Sequence, residues 1–389
     1  MSDEFELLVI GGGPAGLSAV RGYRAAGGRG PVAIVADEHR MPYRRPPLTK
    51  SLLRGESDEH ELPLEDERWL VDNKVALVSG RAVALDPAAH EVMLSGGRRL
   101  TYRRCVLATG AEPTRLPVPG ADDPAVRVVR ALDHVRELLA RLPATGAKVA
   151  VIGSGFIGCE IASSLHRRGV EVTIISDEQA PNQARLGAAP AAAIRGWLSD
   201  EGVRLELGDA VRSLEHDRQL HVTTGATRVT ADVCVMATGV TPRSELLAPS
   251  GTPLAHGAVP ADAAMRTALA DVLAAGDVCM AENTAAGRPL RVEHWGDALT
   301  QGEIAGRSAA GAPAEWDQVP GFWSTIGEHT LKYAAWGDGY DETRFEARPG
   351  GAFTAWYGRE DRIVGVLTHD ADEDYDHGQQ LIAEAAPWQ

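Results

Sequence analysis

One hydrophobic pattern occurs twice along the chain: an apolar run of strand length ends in glycines and passes into apolar positions at helical spacing. Phe5-Glu6-Leu7-Leu8-Val9-Ile10 leads into Gly11-Gly12-Gly13-Pro14-Ala15-Gly16, then into Leu17, Ala19 and Val20. Lys148-Val149-Ala150-Val151-Ile152 leads into Gly153-Ser154-Gly155-Phe156-Ile157-Gly158, then into Ile161, Ala162 and Leu165. A continuous apolar run predicts a strand buried on both faces, and the change of period predicts strand, turn, helix. Near Pro320 the pattern changes. Apolar and polar positions alternate around turns such as Arg348-Pro349-Gly350-Gly351, and residues 321–389 hold eleven of the twenty aromatic residues. This predicts a small antiparallel sheet closed by a terminal helix. The acid-rich stretch Asp370–Asp376 reads as a solvated loop.

Each glycine in the repeated phrase has a physical task. The first makes a tight turn, the second lets backbone approach a pyrophosphate, and the third lets helix pack closely on strand. The diphosphate then rests on a helix N-terminus, where unpaired N–H groups and the dipole favour an anion. A second strand should follow each helix and end in an acid that binds ribose hydroxyls. Val32-Ala33-Ile34-Val35 is followed by Asp37 and Glu38, and Val172-Thr173-Ile174-Ile175 by Ser176, Asp177 and Glu178. Two further phrases match each other: one contains Ala108-Thr109-Gly110, the other Ala237-Thr238-Gly239, and both read as places where the chain crosses between domains. Val272-Leu273-Ala274-Ala275-Gly276-Asp277 places an acid at the end of another buried strand. The predicted fold class is α/β, with two Rossmann-like halves and a C-terminal α+β domain.

Composition narrows the function. A chain of 389 residues predicts two or three domains. The net charge of −15 argues against a surface that binds nucleic acid or anionic membrane. No stretch approaches the roughly 20 apolar residues of a membrane helix, and the acidic N-terminus is unlike a signal peptide. Cys105, Cys159, Cys234 and Cys279 form no close pair, which speaks against a metal site, a disulfide framework and a dithiol centre. A soluble cytoplasmic protein is expected.

Taken together, these residues resemble the FAD-dependent NAD(P)H:ferredoxin (rubredoxin, putidaredoxin) reductases, a branch of the pyridine nucleotide-disulfide oxidoreductase-like flavoproteins with the glutathione-reductase-like fold. The most specific marker is the run Asp37 to Lys50, DEHRMPYRRPPLTK, which in that family holds the isoalloxazine of FAD and ends in a lysine near the flavin. The resemblance assigns to FAD the residues Gly11, Gly13, Pro14, Ala15, Gly16, Asp37, Glu38, Arg45, Lys50, Val83, Ala108, Thr109, Gly110, Arg130, Gly276, Asp277 and Trp295. It assigns to NAD(P)H the residues Gly153, Gly155, Phe156, Ile157, Gly158, Glu160, Ser176, Asp177, Thr238 and Gly239. Trp295 belongs to Glu293-His294-Trp295, followed by Ala298 and Gln301, the segment expected under the pyrimidine side of the ring.

Lys50, Glu160 and Trp323 are the expected catalytic residues. A cation at Lys50 would favour the anionic reduced flavin, and the resemblance pairs it with Glu160. Trp323 would shield the flavin edge or lie on the path to the acceptor, with a plain core tryptophan as the other reading. Ser176 stands where the family usually has glutamate, but Asp177 and Glu178 follow at once, so NADH is the expected donor with NADPH open. Arg44, Arg45, Lys50 and Arg54 read either as a docking patch for an acidic ferredoxin-type partner or as a solvated cationic loop. Cys159 should be packed, and no cysteine precedes Cys105, so disulfide reduction has no dithiol.

The implied FAD domain is 1–115 plus 245–320, the NAD(P)H domain 116–244, and the interface domain 321–389. The implied function is electron transfer from NAD(P)H through FAD to a ferredoxin-type iron–sulfur protein serving a P450 or oxygenase, in a monomer or homodimer. Reduction of a small-molecule acceptor, or redox sensing as in apoptosis-inducing factor, remain the alternatives.

Overall fold

The computed structural model describes residues 3–388. Glu4–Ile10 lies at the centre of a seven-stranded sheet, paired in parallel with Val32–Ala36 on one side and Arg99–Leu107 on the other. Leu7, Leu8 and Val9 have no exposed surface, because helices cover both faces of the sheet. Val75–Ser79 extends one edge. On the other, Val272–Ala274 pairs with Cys105–Leu107, although well over a hundred residues separate them in sequence. The helices Pro14–Ala25 and Trp295–Ala309 pack closely. A Cβ on Gly306 would stand 1.9 Å from the Ala19 carbonyl oxygen, so only glycine permits that approach.

A second parallel sheet repeats the plan. Its order is Arg204–Leu207, Glu171–Ser176, Lys148–Ile152, Val233–Met236 and Val126–Arg127. A three-stranded antiparallel sheet, Ser213–His216, Leu220–Thr223 and Arg228–Ala231, is attached to it. The two predicted crossing points meet in space. Ala111–Pro113 and Val240–Pro242 form a two-stranded antiparallel ribbon. Thr109 Oγ1 donates to the Arg243 carbonyl at 2.6 Å and Thr238 Oγ1 to the Thr114 carbonyl at 2.7 Å, so each threonine ties its own crossing to the other.

Residues from 321 form a five-stranded antiparallel sheet in the order Gly321–Ile326, His329–Ala335, Arg362–His369, Phe353–Arg359, Glu342–Ala347. Ile326, Leu331, Phe353, Tyr357 and Leu367 share one apolar cluster with Leu186, Ile194 and Leu198 of the second half. The Trp197 ring stacks on His329, with centroids 4.2 Å apart, and Tyr357 Oη donates to the Leu186 carbonyl at 3.0 Å. The acid-rich stretch corrects the expected loop. Asp372, Glu373 and Asp374 form the first turn of the helix Asp372–Ala383, where its dipole favours anions. Asp372 pairs with Lys332 at 2.7 Å, and Asp374 accepts from Arg348 and Thr354. Among the described residues no helix is long and apolar enough to cross a membrane.

Candidate functional site

One continuous cleft of about 1440 Å³ runs past both glycine loops, the crossing ribbon and the first strand of the C-terminal sheet. Single ligand sites commonly occupy roughly 300–1,000 Å³, so this space suits more than one group. Gly11 has φ +129°, and a Cβ there would stand 2.0 Å from the Ala108 carbonyl oxygen; Gly153 has φ +104°, with its Cβ 2.4 Å from the Ala237 carbonyl oxygen. The third glycines, Gly16 and Gly158, lie against the carbonyls of Gly11 and Gly153. They do not line the cleft, because their task is the close packing of helix on loop. Gly13 and Gly155 have open space around them, which leaves both helix starts accessible to an anion. Pro14 sits in the first helical turn, where its missing N–H costs nothing.

The first half surrounds its loop with paired charges. Glu38 Oε1 accepts from Arg45 at 2.6 Å, and Glu38 Oε2 accepts from the Tyr43 hydroxyl. Burial alone would raise the Glu38 carboxyl, but Arg45 and Tyr43 outweigh it and hold it below its ordinary value. Burial pushes the Tyr43 phenol up to about 12. Arg45 also donates to the Arg130 carbonyl at 2.7 Å, and the Arg130 guanidinium pairs with Asp277. The Gly276 N–H donates to Gln301 Oε1 at 2.9 Å, which fixes the turn that carries Asp277. Asp37 stays exposed, 4.0 Å from Arg81.

Between the loops lies a buried polar knot. Lys50 Nζ lies 2.8 Å from Glu160 Oε1, and Ser324 Oγ donates to the same oxygen at 2.6 Å. Thr49 Oγ1 donates to Glu160 Oε2 at 2.5 Å. Glu160, 2% exposed, thereby gathers partners from the run after the first half's second strand and from the C-terminal sheet. Strand alternation explains Ser324 and Trp323: the serine points in, while the tryptophan is 45% exposed at the cleft rim. Phe322 packs edge-on to Phe156 at 4.9 Å and lies 4.6 Å from the ring of His294, whose Nδ1 is 3.1 Å from Asp297. Trp295 lines the cleft beside it, as do Ala15, Ala108, Thr109, Gly110, Ile157, Asp177, Thr238 and Gly239.

Two expectations need correction. Val83 lies outside the cleft. Its neighbours Arg81 and Ala82 line it, while Val83 faces solvent from the strand Ala82–Asp86. The basic cluster does not form a patch. Arg45 and Lys50 turn inward to Glu38 and Glu160, Arg54 pairs with Glu56, and Arg44 donates to the Glu61 carbonyl. Ser176 itself lines the cleft, buried and 2.8 Å from the Ser154 hydroxyl, and the second strand ends there without a charge. Sequence reasoning missed Thr49, Ser324, Tyr43 and Phe322. Thr49 and Ser324 adjoin two named residues, but only the folded chain shows their hydroxyls reaching Glu160. The four cysteines are all buried, Cys159 included, and none lines the cleft.

Residues 5–302 match the family described as pyridine nucleotide-disulphide oxidoreductase, and residues 321–389 match the reductase C-terminal family. The chain belongs to the pyridine nucleotide-disulphide oxidoreductase family. Rhodocoxin reductase of Rhodococcus erythropolis is 29% identical over 98% of this chain and 90% of its own length. Putidaredoxin reductase of Pseudomonas putida is 30% identical over 100% of this chain and 94% of its own. The solved ferredoxin reductase for the CYP199A2 system of Rhodopseudomonas palustris superposes with a TM-score of 0.91 at 27% identity, covering 99% of this chain and 96% of that one.

Proposed function

We propose that the protein is an FAD-dependent NAD(P)H reductase that passes electrons to a ferredoxin-type iron–sulfur protein serving an oxygenase or cytochrome P450. The observation that carries this reading is one cleft joining two glycine loops, with a buried lysine–carboxylate pair between them. The relatives named rhodocoxin reductase and putidaredoxin reductase support it. FAD fits the first loop, because a Cβ at Gly11 would fill the cradle that glycine leaves open beside Ala108.

When bound, FAD supplies the conversion of a hydride into single electrons. The chain's own residues bind, orient and exclude water. Gly13 and the first turn of Pro14–Ala25 would receive a diphosphate, and the Arg130–Asp277 pair lines the same cleft. Glu160 fixes the Lys50 ammonium through one oxygen, while Thr49 occupies the other. The cation is thus held in place before any charge develops in the cleft, which avoids reorganisation during the reaction. Phe156, Phe322 and Trp295 line the space where the two rings would stack, and their apolar faces keep water out. Trp323 lies at the exposed rim of the cleft, where an electron acceptor would approach. Thiol chemistry has no part: burial pushes all four cysteine thiols well above their ordinary range.

We assign residues 1–115 and 245–320 to the FAD domain, 116–244 to the NAD(P)H domain and 321–389 to the interface domain. A cytoplasmic setting suits four free thiols. The test is a spectrum of purified protein titrated with NADH and NADPH, followed by stopped-flow reoxidation. A yellow protein bleached by NADH, then reoxidised fast by ferredoxin and slowly by air, is the expected result. Colourless protein that cannot be reconstituted, or fast oxidation by air, would overturn the reading.

A further inference from the structure

The helix Leu132–Arg141 starts at the wall of the cleft, and the residue before it, Ala131, brings no side-chain acceptor for its free N–H groups. The side chain of His134 takes that place. His134 Nδ1 accepts the N–H of Arg130 at 3.2 Å and the N–H of Ala131 at 3.3 Å. The next N–H, that of Leu132, donates to the Tyr43 hydroxyl at 3.0 Å. A side chain in the third helical position that reaches back to the backbone before the helix is half of a capping box, a task ordinarily given to glutamate or glutamine. Histidine performs it under a condition that those two do not impose. Nδ1 has one lone pair and accepts only while unprotonated, so the neutral ring carries its proton on Nε2.

The peptide fixed in this way belongs to the first site. The Arg130 carbonyl accepts from Arg45 at 2.7 Å, the Arg130 guanidinium pairs with Asp277, and Arg45 in turn holds Glu38. Arg130, Ala131 and His134 all line the cleft. A proton on Nδ1 would set one N–H against two others and place a cation at the positive end of the helix dipole. The charges around the imidazole are divided. Arg45 and Arg243 disfavour its cation, while Glu38 and Glu137 favour it. Asp133 is engaged by Arg40 at 2.8 Å and Arg136 at 3.0 Å, and burial keeps Tyr43 a neutral phenol. Burial is the largest influence on His134 and holds it below its ordinary value of 6.5. The cap is therefore complete above that pH and is lost as pH falls through the folded value. The Glu38 pair is lost only below 4.5.

We infer that His134 is a positioning residue of the first site: as a neutral acceptor it orders the Arg130 peptide against Arg45 and Asp277, so that FAD is held at neutral pH and released faster once the imidazole takes up a proton. This rests on reading the first glycine loop as the FAD site. The test is the rate of flavin release on dilution, followed by fluorescence between about pH 7.5 and about pH 5, with ring-nitrogen NMR of the histidines in the same samples. In the native protein, release should quicken about tenfold across that range. The change should follow protonation of one ring that carries its proton on Nε2 at neutral pH and is missing from His134→Gln. That variant, whose amide oxygen accepts the same N–H groups at every pH, should show a level profile. His134→Ala should release flavin about tenfold faster than the native protein at the upper end of the range, again without an acid step. A level native profile, an acid step that survives in His134→Gln, or a His134 ring protonated on Nδ1 at neutral pH each overturns the proposal. Should His134→Ala fail to fold, the native and glutamine profiles decide alone. Native protein that stays colourless after reconstitution ends the FAD reading and this inference with it, and the ring NMR then shows separately whether the cap itself exists.

Discussion

The two halves share their backbone and differ in how their charges are satisfied. In both, the first glycine has positive φ and lies against the carbonyl of an Ala-Thr-Gly crossing, and the third glycine lies against the first. Around the first loop Glu38, Arg45, Arg130 and Asp277 form one chain of paired groups. Around the second, Ser154 and Ser176 are neutral, and Glu178 meets only neutral donors. A prearranged network loses little entropy when it closes on a ligand, so the first half suits a group that stays. Charges left without counter-ions suit a ligand that arrives, reacts and leaves. On the proposed reading, one scaffold would serve retention or exchange according to its strand-end residues.

The sharpest way to break this comparison is to add one methyl group to each loop. Gly11→Ala puts a Cβ into the Ala108 carbonyl at positive φ, which should cost about 3 kcal/mol or more and yield colourless protein. Gly153→Ala should stay yellow while its affinity for 5′-AMP falls on the order of a hundredfold, as read by calorimetry. Next comes the knot between the halves. Lys50→Ala should slow bleaching by NADH on the order of a hundredfold with FAD largely retained; an unchanged rate in stopped flow would remove Lys50 from the mechanism. A smaller effect is expected from Glu38→Gln, which turns the charged partner of Arg45 into a neutral one. FAD affinity should drop about tenfold while 5′-AMP affinity holds, measured by flavin release on dilution.

The smallest expected effect is on acid stability. The folded Glu38 carboxyl lies below its ordinary value of 4.5, so its contribution is complete above that pH and is lost as pH falls through the folded value. Melting curves between pH 7 and 3 should therefore fall less steeply for Glu38→Gln than for the native protein. Equal slopes would show that the Arg45 pair contributes nothing to that loss.

The repeated strand, loop and helix were readable because both loops demand glycine at fixed spacing, and because strands covered on both faces are apolar throughout. The alternation and turns after Pro320 likewise announced the antiparallel sheet. Val83 was misplaced because a single residue carries no pattern, and strand alternation turned it outward. The basic run was misread for a related reason. Sequence shows Arg44, Arg45, Lys50 and Arg54 side by side, but not Glu38, Glu160, Glu56 and the Glu61 carbonyl that absorb their donors. The acids after Asp370 passed for a loop because composition hides the helix N-terminus that stabilises them.

By itself the sequence determined the architecture and the two glycine loops, since both follow from local backbone demands. Tertiary structure decided which charges survive. Glu160 sits far along the chain from Lys50 and from Ser324, and the chain brings all three together only by folding two halves and a third sheet around one cleft. A carboxylate's lone pairs go to whichever donors packing brings near, and for Glu160 those donors lie far away in sequence.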